Sequence, residues 1–306
     1  MPLQHHRSEK HIDALPVAPG LLGAAGTSRF TIGDYEVIAL GDGHLDLAPS
    51  HFPEADRETA VRLTAAAGLP PGPVETAVNA FAIRTGNRVM LVDAGTGHVR
   101  GPRLGHAVEA LAAAGIAPNE VDAVLMTHLH VDHAAGLRDA RGEATFPKAE
   151  LLVPEAEAAF WLDPGLPSRA PELMQPMITN AAASLAPYKG RTTLMTPGHQ
   201  VAPGVTSVPL PGHTPGHTGY LIERGGERLL IWGDIIHVAA LQLRHPEWSV
   251  IFDVDRPAAA AMRRRTLDWV ASDELPVAGM HIGFPGLGRI VRDGTGYVLA
   301  PEHPLG

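Results

Sequence analysis

The sequence predicts an α/β fold, and three observations predict it. Short apolar runs of strand length alternate with segments of helical periodicity in both halves of the chain. The apolar content, 45% of 306 residues, suffices for a large buried core. Several of the apolar runs end in His or Asp, and the carboxyl ends of strands are where such folds place ligands and metals.

The elements follow in order. Residues 1–28 are rich in His, Pro, Gly and Ala without periodicity and read as an arm, either disordered or wrapped on a partner subunit. His5, His6 and His11 belong to that exposed arm rather than to a metal-binding tail. No Pro/Gly/Ser linker with a charge shift divides residues 29–306, so they read as one domain. Strand-like runs come at 30–40, 77–84, 89–92 and 123–126, then at 192–195, 206–210, 219–223, 228–232 and 276–280. Between them a helix is expected over 104–114, where Leu104, Val108 and Leu111 recur at helical spacing before Gly115. Asp255 followed by Pro257 starts a second helix through about residue 271. Phe160, Trp161 and the Pro/Gly-rich run 163–167 interrupt regular structure between the halves, and Trp161 reads as either pocket wall or core.

Composition excludes several functions. With no cysteine, disulfides, thiolate ligands and zinc fingers are ruled out. There is no apolar run of signal-peptide or membrane-span length, so the cytoplasm is the default location and no membrane partner is expected. The net charge of -9 argues against a nucleic-acid partner and leaves a small-molecule substrate. The basic cluster Arg263, Arg264, Arg265 reads as the solvated face of a helix.

Chemistry concentrates after the run 123–126, where His128, His130, Asp132 and His133 form His-x-His-x-Asp-His. Alternation along an extended backbone sends His128 and His130 to one side, where two neutral imidazoles can grip a divalent ion. Asp132 and His133 follow where the chain turns toward a helix, so they can reach a second ion. With 17 His in the chain a lone His carries little weight, but the four-residue pattern arises by chance in roughly one such chain in several hundred. The second half adds His213 and His217 in the turn-rich run 211–218, Asp234 after the run 228–232, and His281 after the run 276–280. Asp93, at the end of 89–92, reads as a metal-histidine partner or as a loop-capping residue.

The set His128, His130, Asp132, His133, His213, Asp234 and His281 resembles the dinuclear metal site of the metallo-β-lactamase-fold hydrolases. Asn79-Ala80-Phe81, Leu91-Val92-Asp93, the GHTPGHT segment, Trp232-Gly233-Asp234 and Gly279-Met280-His281 are most similar to the branch of methyl parathion hydrolase and lactonase-like enzymes. The resemblance runs from about Phe30 to the C-terminus. It implies a four-layer αβ/βα sandwich, with residues 29–306 as the catalytic domain. It also implies that His128, His130 and His213 hold one ion, that Asp132, His133 and His281 hold the other, and that Asp234 bridges them. The ligand types suit zinc first, and also manganese, cobalt or iron. Two ions roughly 3.5–4 Å apart would hold a bridging hydroxide that attacks a small ester, lactone or organophosphate. Asp132 and Asp234 would be the carboxylates of that chemistry.

The resemblance further implies a homodimer. A β-lactam hydrolase and a mononuclear iron oxidoreductase resembling the sulfur dioxygenases are the alternatives, the latter disfavoured by the full ligand set. A non-catalytic scaffold is disfavoured by the presence of Asp234. His217 reads as structural because the ligand set is complete without it. His237 stands where the similar acyl-homoserine lactonases carry a substrate-facing tyrosine, so it faces the pocket or packs. Arg100 stands near an aromatic position of the parathion-hydrolase type and points to an anionic or strongly polar substrate.

Overall fold

The computed structural model describes residues 26–99 and 101–301; most of the expected arm, Arg100 and residues 302–306 lie outside the described residues. The first half runs β1 (Thr27–Ile32), β2 (Tyr35–Leu47), α1 (Arg57–Ala66), β3 (Val74–Thr85), β4 (Arg88–Val92), α2 (Ala107–Ala113), β5 (Ala123–Leu125), α3 (Val131–Ala134), β6 (Glu150–Pro154), α4 (Glu155–Trp161), α5 (Leu166–Arg169), α6 (Gln175–Leu185) and β7 (Thr192–Met195). The second runs β8 (Gln200–Ala202), β9 (Val205–Pro209), β10 (Thr218–Arg224), β11 (Glu227–Ile231), α7 (Ala239–Gln242), α8 (Arg256–Ser272), β12 (Val277–Ala278), β13 (Leu287–Asp293) and β14 (Gly296–Pro301).

Each half makes a seven-stranded mixed sheet, in the order β1 to β7 for the first and β14 to β8 for the second. Strand periodicity explains the layering. Val37 and Ala39 of β2, Phe81 and Ile83 of β3, Met90 and Val92 of β4, and Leu125 of β5 point into a core between the sheets. Tyr220, Ile222, Leu229 and Ile231 meet them from the second sheet. The alternate residues Ile38, Leu40, Ala80, Ala82, Leu91 and Val124 face outward onto α2 and α6. In the second sheet Leu230 and Val277 face Leu267 and Val270 of α8. Strands that are apolar on both faces, with helices outside each sheet, give the αβ/βα sandwich.

Four expectations need correction. The run 30–40 is two strands, because Gly33 takes a left-handed φ of 59° and turns β1 back on β2 with Ile32 opposite Tyr35. Phe160 and Trp161 do not interrupt regular structure but close α4, and Trp161 is buried. Arg263 is not on a solvated face: α8 turns it inward with Ala259, Ala260, Thr266, Leu267 and Val270, while Arg264 and Arg265 stay exposed. The start of α8 agrees with the sequence, since the Asp255 carboxylate accepts from Ala258 N at 3.0 Å. The start of α2 lies later than the apolar spacing suggests. Asp42, at a register shift between Gly41 and Gly43 of β2, reaches across to cap it. Its buried carboxylate accepts from Ala107 N, Thr96 N and Gly105 N, and this fixes the loop after β4.

Candidate metal centre

Five strand ends converge at one edge between the sheets. Asp93 follows β4, residues 127–133 follow β5, His213 follows β9, Asp234 follows β11 and His281 follows β12. Strands β4 and β5 are parallel, as are β11 and β12, and β9 shares the direction of β11 because both are antiparallel to β10. The carboxyl ends therefore share one edge, the usual place for a site in such sheets.

At the middle stands one carboxylate oxygen. Asp234 Oδ2 lies 3.1 Å from His281 Nε2, 3.3 Å from the Nε2 atoms of His133, His213 and His237, and 3.7 Å from that of His128. Asp132 Oδ2 lies 3.5 Å from His281 Nε2 and 3.7 Å from His133 Nε2. The nitrogens of His128, His130 and His213 fall within 4.8 Å of one another, as do the donor atoms of Asp132, His133 and His281. All seven residues of the expected set thus come together, with His237 beside them.

Hydrogen bonds on the outer ring atoms fix which nitrogen faces in. Asp93 Oδ2 accepts from His133 Nδ1 at 2.7 Å, Asp253 Oδ1 from His213 Nδ1 at 2.7 Å, and Ala77 O from His281 Nδ1 at 2.8 Å. Thr127 Oγ1 donates its one proton to Asp93 Oδ2 at 2.7 Å, so it can only accept from His128 Nδ1 at 3.0 Å. In the neutral state, four imidazoles therefore present Nε2 lone pairs to a carboxylate with no proton between them. Asp234 Oδ1 and His130 Nε2 are buried with no partner. Such an array of converging acceptors is unfavourable unless a cation sits among them. A borderline nitrogen and oxygen donor set, oriented from outside by carboxylates and a carbonyl, fits divalent metal ions.

A further layer of support lies behind these residues. Asp253 Oδ2 pairs with buried Arg263 at 3.3 Å, and Arg263 also donates to Ile235 O, Pro246 O and Trp248 O. Burial opposes ionisation of Asp253, but its bond to His213 and the Arg263 charge hold its pKa below the ordinary range. His217 Nδ1 donates to Leu210 O at 2.9 Å while its Nε2 accepts from Asp234 N at 2.9 Å, so His217 holds the backbone of Asp234. Burial pushes its pKa down to about 3, as a neutral acceptor requires. Gly233 has a φ of 61°, and a Cβ there would stand 2.3 Å from His217 Nε2, which is why glycine precedes Asp234. Asn79 of β3 donates to Gly279 O at 3.2 Å and Ile282 O at 2.8 Å, bracing the loop of His281 from both sides.

Glu157 of α4 links the two ligand loops. Its Oε1 accepts from Leu129 N, between His128 and His130, at 2.9 Å and from Trp161 Nε1 at 2.6 Å. Its Oε2 accepts from Gly216 N, in the loop of His213, at 2.9 Å. Trp161 in turn sets its ring edge-on to His130, with centroids 5.4 Å apart. Sequence reasoning missed Glu157, Asp253, Thr127 and Arg263 in these roles. Only Thr127 carries a local signal, its place directly before His128.

The fold and this edge define a class of protein, an αβ/βα sandwich with a His/Asp metal cluster between its halves. The chain belongs to the metallo-beta-lactamase superfamily, whose family model matches residues 73–281. The crystal structure of AbOPH, described as a hydrolase in the beta lactamase superfamily, is 31% identical with a TM-score of 0.87, covering 92% of this chain and 99% of that one. AidC, a dizinc quorum-quenching lactonase, is 24% identical with a TM-score of 0.86 over 92% of this chain and 99% of its own, a likeness of fold. A Mycobacterium tuberculosis protein named as a metallo-hydrolase is 27% identical over 135 residues, 40% of this chain. The match spans 39% of that relative's length. YobT of Bacillus subtilis is 30% identical over 168 residues, 55% of this chain and 63% of YobT.

Proposed function

We propose that this chain is a dinuclear metal-dependent hydrolase acting on a small ester, lactone or organophosphate-type substrate. One observation carries the reading: Asp234 Oδ2 stands between imidazoles from both halves of the sandwich, at 3.1–3.7 Å from five of them. His128, His130 and His213 would hold one ion, Asp132, His133 and His281 the other, and Asp234 would touch both. Divalent ions supply Lewis acidity and a nucleophile from water at neutral pH.

The chain's own residues do the rest. Asp93, Asp253, Ala77 O and Thr127 hold a proton on Nδ1 of His133, His213, His281 and His128, so it is Nε2 of each that turns toward the centre. Asp132 is the more open carboxylate, its side chain 19% exposed against 2% for Asp234. Substrate and product would therefore reach the centre from the Asp132 side. Support for a hydrolase also comes from AbOPH, similar over almost its whole length. The lactonase named among the structural relatives makes a lactone the first substrate to test.

The test is elemental analysis of protein purified without added metal, with a hydrolysis panel of a lactone, an aryl ester, a phosphotriester and a β-lactam. Two equivalents of zinc or manganese and chelator-sensitive turnover are expected, and Asp234→Ala should abolish that turnover. One equivalent of iron with no hydrolysis would overturn the proposal in favour of a mononuclear oxidoreductase.

A further inference from the structure

We infer that His237 is an additional metal ligand, held by the fold on the ion that His213 and Asp234 contact, so that this centre draws on six imidazoles rather than five. The inference rests on the metal-centre reading above and deepens it. Three observations carry it. His237 Nε2 stands 3.3 Å from Asp234 Oδ2, the same distance as the Nε2 atoms of His133 and His213, and closer than that of His128 at 3.7 Å. His213, Asp234 and His237 offer donor atoms within 4.8 Å of one another, a group that shares two members with the seven-residue set. The ring is only 5% exposed and lies against its neighbours, stacked on His281 with centroids 5.0 Å apart and planes at 21°, and 4.9 Å from the ring of His213.

His237 differs from its neighbours in one respect. The Nδ1 atoms of His133, His213 and His281 each donate to a carboxylate or carbonyl, whereas His237 Nδ1 is buried with no partner. Its position is set instead by its backbone, whose N–H donates to Gln242 Oε1 at 2.7 Å, and by the stack on His281. A ligand without an outer hydrogen bond is less basic and less firmly aimed. His237 would therefore be the ligand that yields most readily.

The variant that tests this is His237→Phe, which keeps a flat ring for the stack on His281 and removes both nitrogens; His237→Gln controls for loss of the ring. Metal affinity is measured by chelator competition on folded, metal-loaded protein, and the visible absorption of the cobalt-substituted form reports coordination number. Phe and Gln variants should release one ion about 10- to 100-fold more readily than the parent, no less than the loss of an outer partner of a ligand causes at such sites. Their cobalt spectra should shift toward lower coordination, with circular dichroism unchanged. Unchanged affinity and an unchanged cobalt spectrum in both variants, while the parent binds two ions, would overturn the inference and leave the dinuclear reading intact. A parent protein that binds no metal would instead remove the reading on which it rests.

Discussion

Asp253 and Arg263 illustrate how a single side chain governs the centre from behind. Arg263 is buried and pairs with the carboxylate that orients His213, so replacing it strands a negative charge in the core. Arg263→Ala should cost about 3–5 kcal/mol, the usual penalty for breaking one side of a buried ion pair. Urea unfolding of the apoprotein checks this, and a loss under about 1 kcal/mol, the range of exposed pairs, would show that Asp253 finds other compensation. Asp253→Asn keeps the shape but weakens the grip on His213, and should lower metal affinity by about 10- to 100-fold. The sign of the pH effect follows from the Asp253 carboxyl being held below its ordinary value. A group whose folded pKa is depressed stabilises the fold above its unfolded value of about 3.9 and loses that contribution as pH falls through the folded one. The Asn variant should therefore show a shallower loss of stability on the acid side than the parent.

Helix α4 shows the same logic one level up, because it presents Glu157 to both ligand loops at once. Truncating it to Ala leaves Leu129 N, Gly216 N and Trp161 Nε1 without their acceptor, each at about 1–3 kcal/mol if no water enters. Glu157→Ala should therefore lower both thermal stability and metal affinity, whereas an Ala at exposed Glu155 of the same helix should change neither. Equal behaviour of the two variants would show that α4 is packing alone. None of this is legible in sequence, because Glu157 owes its role to residues 28 and 59 positions away. What was legible was local. Apolar runs marked strands β3, β4, β5, β10 and β11 because residues facing two layers are apolar at successive positions, whereas β7 and β9 mix Thr and Ser with their apolar residues. The cluster at 128–133 is visible because four polar donors fall in a span of six residues just past a strand. The supporting acids, Asp42 among them, act across the fold, and no window of sequence contains both partners.

Across the whole molecule, the centre adds to the apolar layer and the cross-links of Glu157 and Asn79 that already join the two halves. His128, His130, Asp132 and His133 come from the first sheet's side, and His213, Asp234 and His281 from the second. Among the described residues Asp234 Oδ1, His130 Nε2 and His133 Nε2 are buried without partners. Removing metal should then destabilise the folded chain rather than merely inactivate it, because a site assembled from both halves exists only in the folded state. A ligand that binds only that state at 100 times its dissociation constant stabilises it by about 2.7 kcal/mol per site, and by about 4.1 kcal/mol at 1,000 times. The measurement is thermal unfolding of chelated and reloaded protein at matched concentration. We expect the chelated form to melt several degrees lower, at roughly 2–4 °C per kcal/mol for chains of 150–250 residues and somewhat less for this one. Readding zinc should restore the parent transition. Asp234→Ala should remove most of that gain, since it deletes the group common to both sets of imidazoles, and a metal-induced rise as large in the variant as in the parent would mean that the ions stabilise the fold from somewhere else.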